Sequence, residues 1–134
     1  MQNLFIQENE EFTIGIAVAT DKKGTIFCDL DIESLMESIQ GVEDMEVQDY
    51  RVVFKRPSFG ETTLLYEKIF SVSESGLNFN PILARQNSII ALIKSWNLKG
   101  EDEKPTEEEI KSLHPTIAMA IGIQLDAEVG NILS

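Results

Sequence analysis

The chain has 134 residues, 43% of them hydrophobic, and carries 23 acidic against 11 basic residues for a net charge of −12. That is about one domain of chain with enough apolar content to own a core, which argues against global disorder. The acidic balance, with no Lys/Arg stripe to offset it, disfavours nucleic acid and anionic membrane surfaces, and leaves a basic protein partner open beside plain solubility.

Residues 12–19, FTIGIAVA, alternate: Phe12, Ile14, Ile16 and Val18 on one side, Thr13, Gly15, Ala17 and Ala19 on the other. The spacing predicts a strand with one bulky and one small face, and the small face is a place for a close neighbour or for a second chain. TDKKGT follows, with Gly24 placed for positive φ in a short hairpin loop, and TIFCDL reads as the returning strand. DIESLMESI (31–39) predicts a helix with Asp31 as N-cap, an apolar stripe of Ile32, Leu35, Met36 and Ile39, and Gly41 as its stop. An acidic connector comes next, with a candidate hinge near residue 44, and then YRVVFKR as a third strand ended by Pro57.

Residues 59–72 read as a helix and SESG (73–76) as a loop. Asn80 and Pro81 are a helix start, and Ile82, Gln86, Ile89, Ile90, Ile93 and Trp96 recur at helical spacing, so one amphipathic helix is expected over 80–98 with Gly100 as its stop. Thr106 to Glu109 form a capping box. His114-Pro115 ends that short helix, and Ile117, Ile121, Leu125, Val129 and Ile132 make an i, i+4 ladder for a last one. The helix over 80–98 is expected to pack on the last helix as an antiparallel pair, with Trp96 at its edge.

No constellation of catalytic residues stands out. Cys28 is the only cysteine and His114 the only histidine, and they are far apart in sequence. With one cysteine there is no internal disulfide and no thiolate cluster within one chain. The glycines Gly15, Gly24 and Gly41 are isolated, which is no phosphate loop. Asp29, Asp31 and Glu33 converge on a metal only if the segment is extended; a strand end followed by a helix spreads them, with Asp31 as N-cap. The expectation is therefore a non-enzymatic protein with no cofactor and no metal. Trp96 is read as a core anchor or as a hot spot for a partner. With Ile93 beside it, and with Phe59 and Tyr66 from the 59–72 segment, it forms the candidate partner-contact set. The N-terminus, MQNLFIQENEEF, lacks the basic and long apolar runs of a secretory signal, and no segment approaches the ~18 apolar residues of a membrane span, so a reducing cytoplasm is expected.

Three stretches carry a resemblance: YRVVFKRPSF, NPILARQNSIIALIKSWNL and EDEKPTEEEIKSLHPTIAMAI, in that order. With them, residues 47–133 resemble the small tail-assembly proteins of long-tailed bacteriophages, the tail assembly chaperones. The resemblance implies a protein of the infected host's cytoplasm that coats the helical tape-measure protein until tail-tube subunits replace it. A permanent part of the tail or baseplate, found in the virion, is the alternative it leaves. The expected fold is α+β. Residues 1–46 supply a β-hairpin and a helix, and residues 47–134 a third antiparallel strand and about four helices, as one compact unit that forms homo-oligomers through its small-residue strand face.

Overall fold

A ten-residue strand, β1 (Glu11–Thr20), is the frame on which the chain is built. The computed structural model describes the backbone of residues 4–7, 9–39, 45–73, 76–79 and 81–129, and side chains over the same ranges except 66–73, 76–79 and 81. β1 turns back into β2 (Ile26–Asp29) through a loop in which Gly24 has φ +83°. Helix α1 (Ile32–Ser38) follows, and then β3 (Glu46–Lys55), which pairs with β1 over its whole length, from Glu11 opposite Lys55 to Thr20 opposite Glu46. The two regions expected on either side of residue 46 thus share one sheet.

The sheet has four antiparallel strands, not three, in the order β2-β1-β3-β6. The fourth, β6 (Ile93–Trp96), comes out of the stretch expected to be helical. Helix α3 (Pro81–Leu92) starts at Pro81 as expected but stops six residues before the predicted end at residue 98. The reason is in the register: Phe54 pairs with Ile93, Val53 with Ser95 and Val52 with Trp96, so Lys94 is the extra residue of a bulge. In a regular strand, side chains three apart point to opposite faces; one bulged residue restores them to the same face. Ile93 and Trp96 thus keep the three-residue spacing that mimics a helix and still both reach the core. Gly100, expected as a helix stop, instead has φ +105° in the turn after β6, where its N–H donates to the Asn97 carbonyl at 2.9 Å.

A second correction concerns residues 59–79. Helix α2 (Phe59–Ile69) ends three residues short of the expected 72, and β4 (Phe70–Ser73) pairs antiparallel with β5 (Gly76–Phe79) in a separate two-stranded hairpin. The run Ile69-Phe70-Ser71-Val72 fits a pleated strand at least as well as a last helical turn once Leu77-Asn78-Phe79 is there to pair with it. Helices α4 (Glu107–Lys111) and α5 (Pro115–Val129) complete the chain. Their starts follow the sequence. The Thr106 side chain accepts from the Glu109 N–H while the Glu109 carboxylate accepts from the Thr106 N–H, and His114 Nδ1 accepts from the Thr116 N–H at 3.2 Å.

The bulky face of β1 carries the main core. Phe12, Ile14, Ile16 and Val18 pack with Val52 and Phe54 of β3, Ile93 and Trp96 of β6, and Ile89, Ile110, Ile121 and Leu125 from the helices. Phe12 stacks on Phe54 with ring centroids 5.7 Å apart, and the Arg56 guanidinium lies 4.7 Å from the Phe12 ring centre. The small face, expected to take a close neighbour or a second chain, takes a close neighbour within the molecule: Ala17 and Ala19 are fully buried with Leu35 and Ile39 beneath α1. A helix can sit that close because the strand offers only methyl groups there. Ile132, Gly41 and the hinge proposed near residue 44 lie outside the described residues.

Candidate functional site

Helices α3, α4 and α5 meet around a cleft of about 210 Å3. Its walls are Ile82 and Ile89 from α3, Ile110 from α4, Leu113 from the α4–α5 turn, and Ala118 and Met119 from α5. Ile89 and Ile110 form the buried floor, and Ile82 and Met119 stand exposed at the lip. The cleft exists because α3 and α5 touch along only part of their length. Gly122 lets the stem of Arg85 lie on α5: a methyl group there would come within 3.2 Å of Arg85 Cδ. The helices are therefore close at Gly122.

Charge at the lip is locally paired. Arg85 sits 3.6 Å from Asp126 and donates from Nη1 toward Met119 Sδ at 3.4 Å, and Lys111 lies 3.1 Å from Glu107. Burial pushes the Asp126 carboxyl above its ordinary range, and Arg85 pulls it partway back. The result is an apolar slot with a cation on two sides, on a molecule that is otherwise strongly acidic. The polar groups on its lining are Arg85, Gln86 and Lys111, and the rest of the lining is apolar.

Of the four residues expected to contact a partner, two are buried and one is exposed. Trp96 is only 2% exposed and Ile93 is buried with it, both on β6 rather than on a helix, so neither presents surface to a partner. Phe59 stands at the start of α2, 91% exposed. Tyr66 lies within α2, but its side chain is outside the described residues. The cleft residues were partly within reach of the sequence. Ile82 and Ile89 belonged to the recognised helical stripe, and Met119 lies beside the Ile117–Ile121 ladder; a flexible methionine just off a core stripe is a usable sign of an adaptable contact surface. Their meeting across three helices was not.

The carboxylates considered as metal ligands serve the backbone. Asp29 Oδ1 accepts from the Leu30 N–H at 2.7 Å, and Asp31 Oδ1 caps α1 by accepting from the Ser34 N–H at 2.7 Å. That second bond holds the Asp31 carboxyl below its ordinary range. Among the described residues, no group of three or more His, Cys, Asp or Glu side chains is arranged to hold a metal ion. The Cys28 thiol is half-buried, and burial pushes its pKa up, which is the environment of a packed rather than a reactive cysteine. No helix among the described residues is long and apolar enough to cross a membrane. No family model, no curated protein and no solved structure matches this chain.

Proposed function

We propose that this chain is a tail assembly chaperone of a long-tailed bacteriophage, a non-enzymatic protein that holds amphipathic segments of the tape-measure protein in the cleft between α3, α4 and α5. The observation that carries the reading is the cleft itself: apolar walls, a buried floor at Ile89 and Ile110, and an open lip at Ile82 and Met119. The sequence resemblance of residues 47–133 supplies the identity of the partner, and the cleft supplies a surface of the right chemistry. A net charge of −12 keeps a chaperone bound to an apolar helix in solution. Binding of this kind is reversible, as replacement by tail-tube subunits requires.

The test is co-purification with a fragment of the same phage's tape-measure protein, with Met119→Glu as the probe. Met119 is exposed, so the charge is tolerated in the free protein but is forced into the apolar slot of the complex. The variant should keep the parent's denaturant midpoint and lose affinity at least ~10-fold, on the order of 1.4 kcal/mol. A Met119→Glu protein that retains the fragment as well as the parent overturns the cleft as the binding site, and a folded parent that does not retain it overturns the function. Recovery of the protein in purified particles at fixed stoichiometry assigns it instead to the tail structure.

A further inference from the structure

The outer edge of the sheet has a second surface that the chaperone reading does not use. β2 is the terminal strand, and among the described residues no strand lies beyond it. Two bonds fix which of its backbone groups point outward. The Asp21 N–H donates to the Thr25 carbonyl at 3.1 Å at the hairpin end, and Gln124 Nε2 donates to the Gly15 carbonyl at 2.6 Å where β2 has turned away. Odd-numbered residues of β1 therefore bond toward β2, so Phe27 and Asp29 bond inward and Ile26 and Cys28 turn their N–H and C=O outward. The strand itself has no lysine, proline or bulge, the usual protections of an exposed edge. Apolar side chains flank it. Leu30 is 56% and Ile123 of α5 is 54% exposed, around a cleft that includes Cys28. Ile32 and Met36 stand exposed on α1, which lies over the other face of β1 and β2.

We infer that β2 pairs antiparallel with β2 of a second copy, joining two four-stranded sheets into one of eight strands. The occupant is a second copy because the edge is complementary to itself. With Phe27 opposite Phe27 of the second copy, Ile26 meets Cys28, and the outward N–H and C=O groups of both are satisfied reciprocally. The two-fold axis is then normal to the sheet, which keeps each face on its own side. The α5 flanks, with Leu30 and Ile123, face each other on one side, and the α1 flanks face each other on the other. In this register Asp29 lies opposite Thr25, so the strand's only charge does not meet its own copy. A standard interface needs about 800 Å2 per partner, so the short strand pairing has to be completed by its flanks, Leu30 and Ile123 on one side and Ile32 and Met36 on the other.

Sedimentation equilibrium of the full chain at ~50 μM, a concentration suited to a weak interface, tests this directly. The parent should be a dimer, and Leu30→Glu/Ile123→Glu, which alters only exposed positions, should raise the dissociation constant at least ~10-fold with an unchanged circular dichroism spectrum. A second variant fixes the geometry: Phe27→Cys in a Cys28→Ser background should form an intermolecular disulfide under mild oxidation, because unbonded antiparallel pairs bring Cα atoms to about 4.5 Å. A monomeric parent overturns the inference, as do a dimer indifferent to the double Glu substitution and an assembly that grows beyond two. Neither the measurement nor the variants involve the cleft between α3, α4 and α5, so failure here leaves the tape-measure reading standing, and failure there leaves the dimer standing.

Discussion

Trp96 is buried at the end of β6, opposite Val52 of β3. Its ring fills the core between β6 and β3, and its Nε1 is buried with no acceptor among the described residues. The ring thus contributes area and contacts, and its N–H makes no hydrogen bond among the described residues. Trp96→Ala should cost ~3–5 kcal/mol in a denaturant titration, as large aromatic deletions do. Trp96→Phe should retain most of that stability, because it leaves behind no polar group that had a partner. A Phe variant as unstable as the Ala variant would show that the indole N–H is satisfied in solution and matters. Other residues do local work that is legible in the sequence: Asp31, Thr106, Glu109 and Gly24 hold the caps and the turn expected of them. Each of these depends on partners within four residues, which is why it could be read one stretch at a time.

At the scale of elements, β6 shows how a periodicity can be real and its interpretation wrong. Ile89, Ile93 and Trp96 do share one destination, the core, but Ile89 reaches it from a helix and the other two from a bulged strand. Deleting Lys94 should therefore be far more damaging than replacing it. The deletion straightens the bulge and sends either Ile93 or Trp96 to the outer face, a loss of several kcal/mol on the order of a buried aromatic or aliphatic residue. Lys94→Ala leaves the register alone, and Lys94 is exposed, so it should fall within about 0.5 kcal/mol of the parent. Urea midpoints of the two proteins check this; near-equal values would remove the bulge as the explanation. Asn97 extends the same seam past the strand, its Oδ1 accepting from the Arg51 N–H at 2.8 Å and its N–H donating to the Arg51 carbonyl at 3.2 Å.

For the whole molecule, the carboxylates set how stability responds to acid. Hydrogen bonds from Lys99, Lys55 and the Ser34 N–H hold Glu109, Glu61 and Asp31 below their ordinary ranges. The folded form therefore binds these protons less readily than the unfolded chain, so their contribution is present above about pH 4 and is lost as pH falls through the lowered values. Asp126 runs the other way, because burial raises it and acid relieves its cost. Asp126 offsets part of this loss, and the urea midpoint should fall on the acid side of about pH 4. Glu109→Gln should be less stable than the parent at neutral pH, and the gap should narrow as pH falls below the ordinary carboxylate range, where the parent's Glu109 takes up its proton. A gap that persists undiminished in acid would mean that the Gln variant loses packing or geometry rather than an ionic contribution.

Local signals in the sequence specify the mixed α and β composition, the first hairpin and its turn, the starts of α1, α3, α4 and α5, and the bulky core face of β1, whereas Ile32, Met36 and Ile82 of the expected apolar stripes stand exposed. The specified features follow from short-range rules: alternation, capping, proline at a helix start, and apolar side chains leaving water. Tertiary structure decided the rest. Whether IKSW continued a helix or became a strand depended on an open edge of β3 forty residues earlier, with Val52 and Phe54 waiting for apolar partners. Whether Ala17 and Ala19 faced another chain depended on α1 folding back over them. The α3–α4–α5 cleft and the bare edge of β2 are likewise properties of how elements meet, because a groove or an edge is made of the space that neighbouring elements leave, and no single segment encodes it.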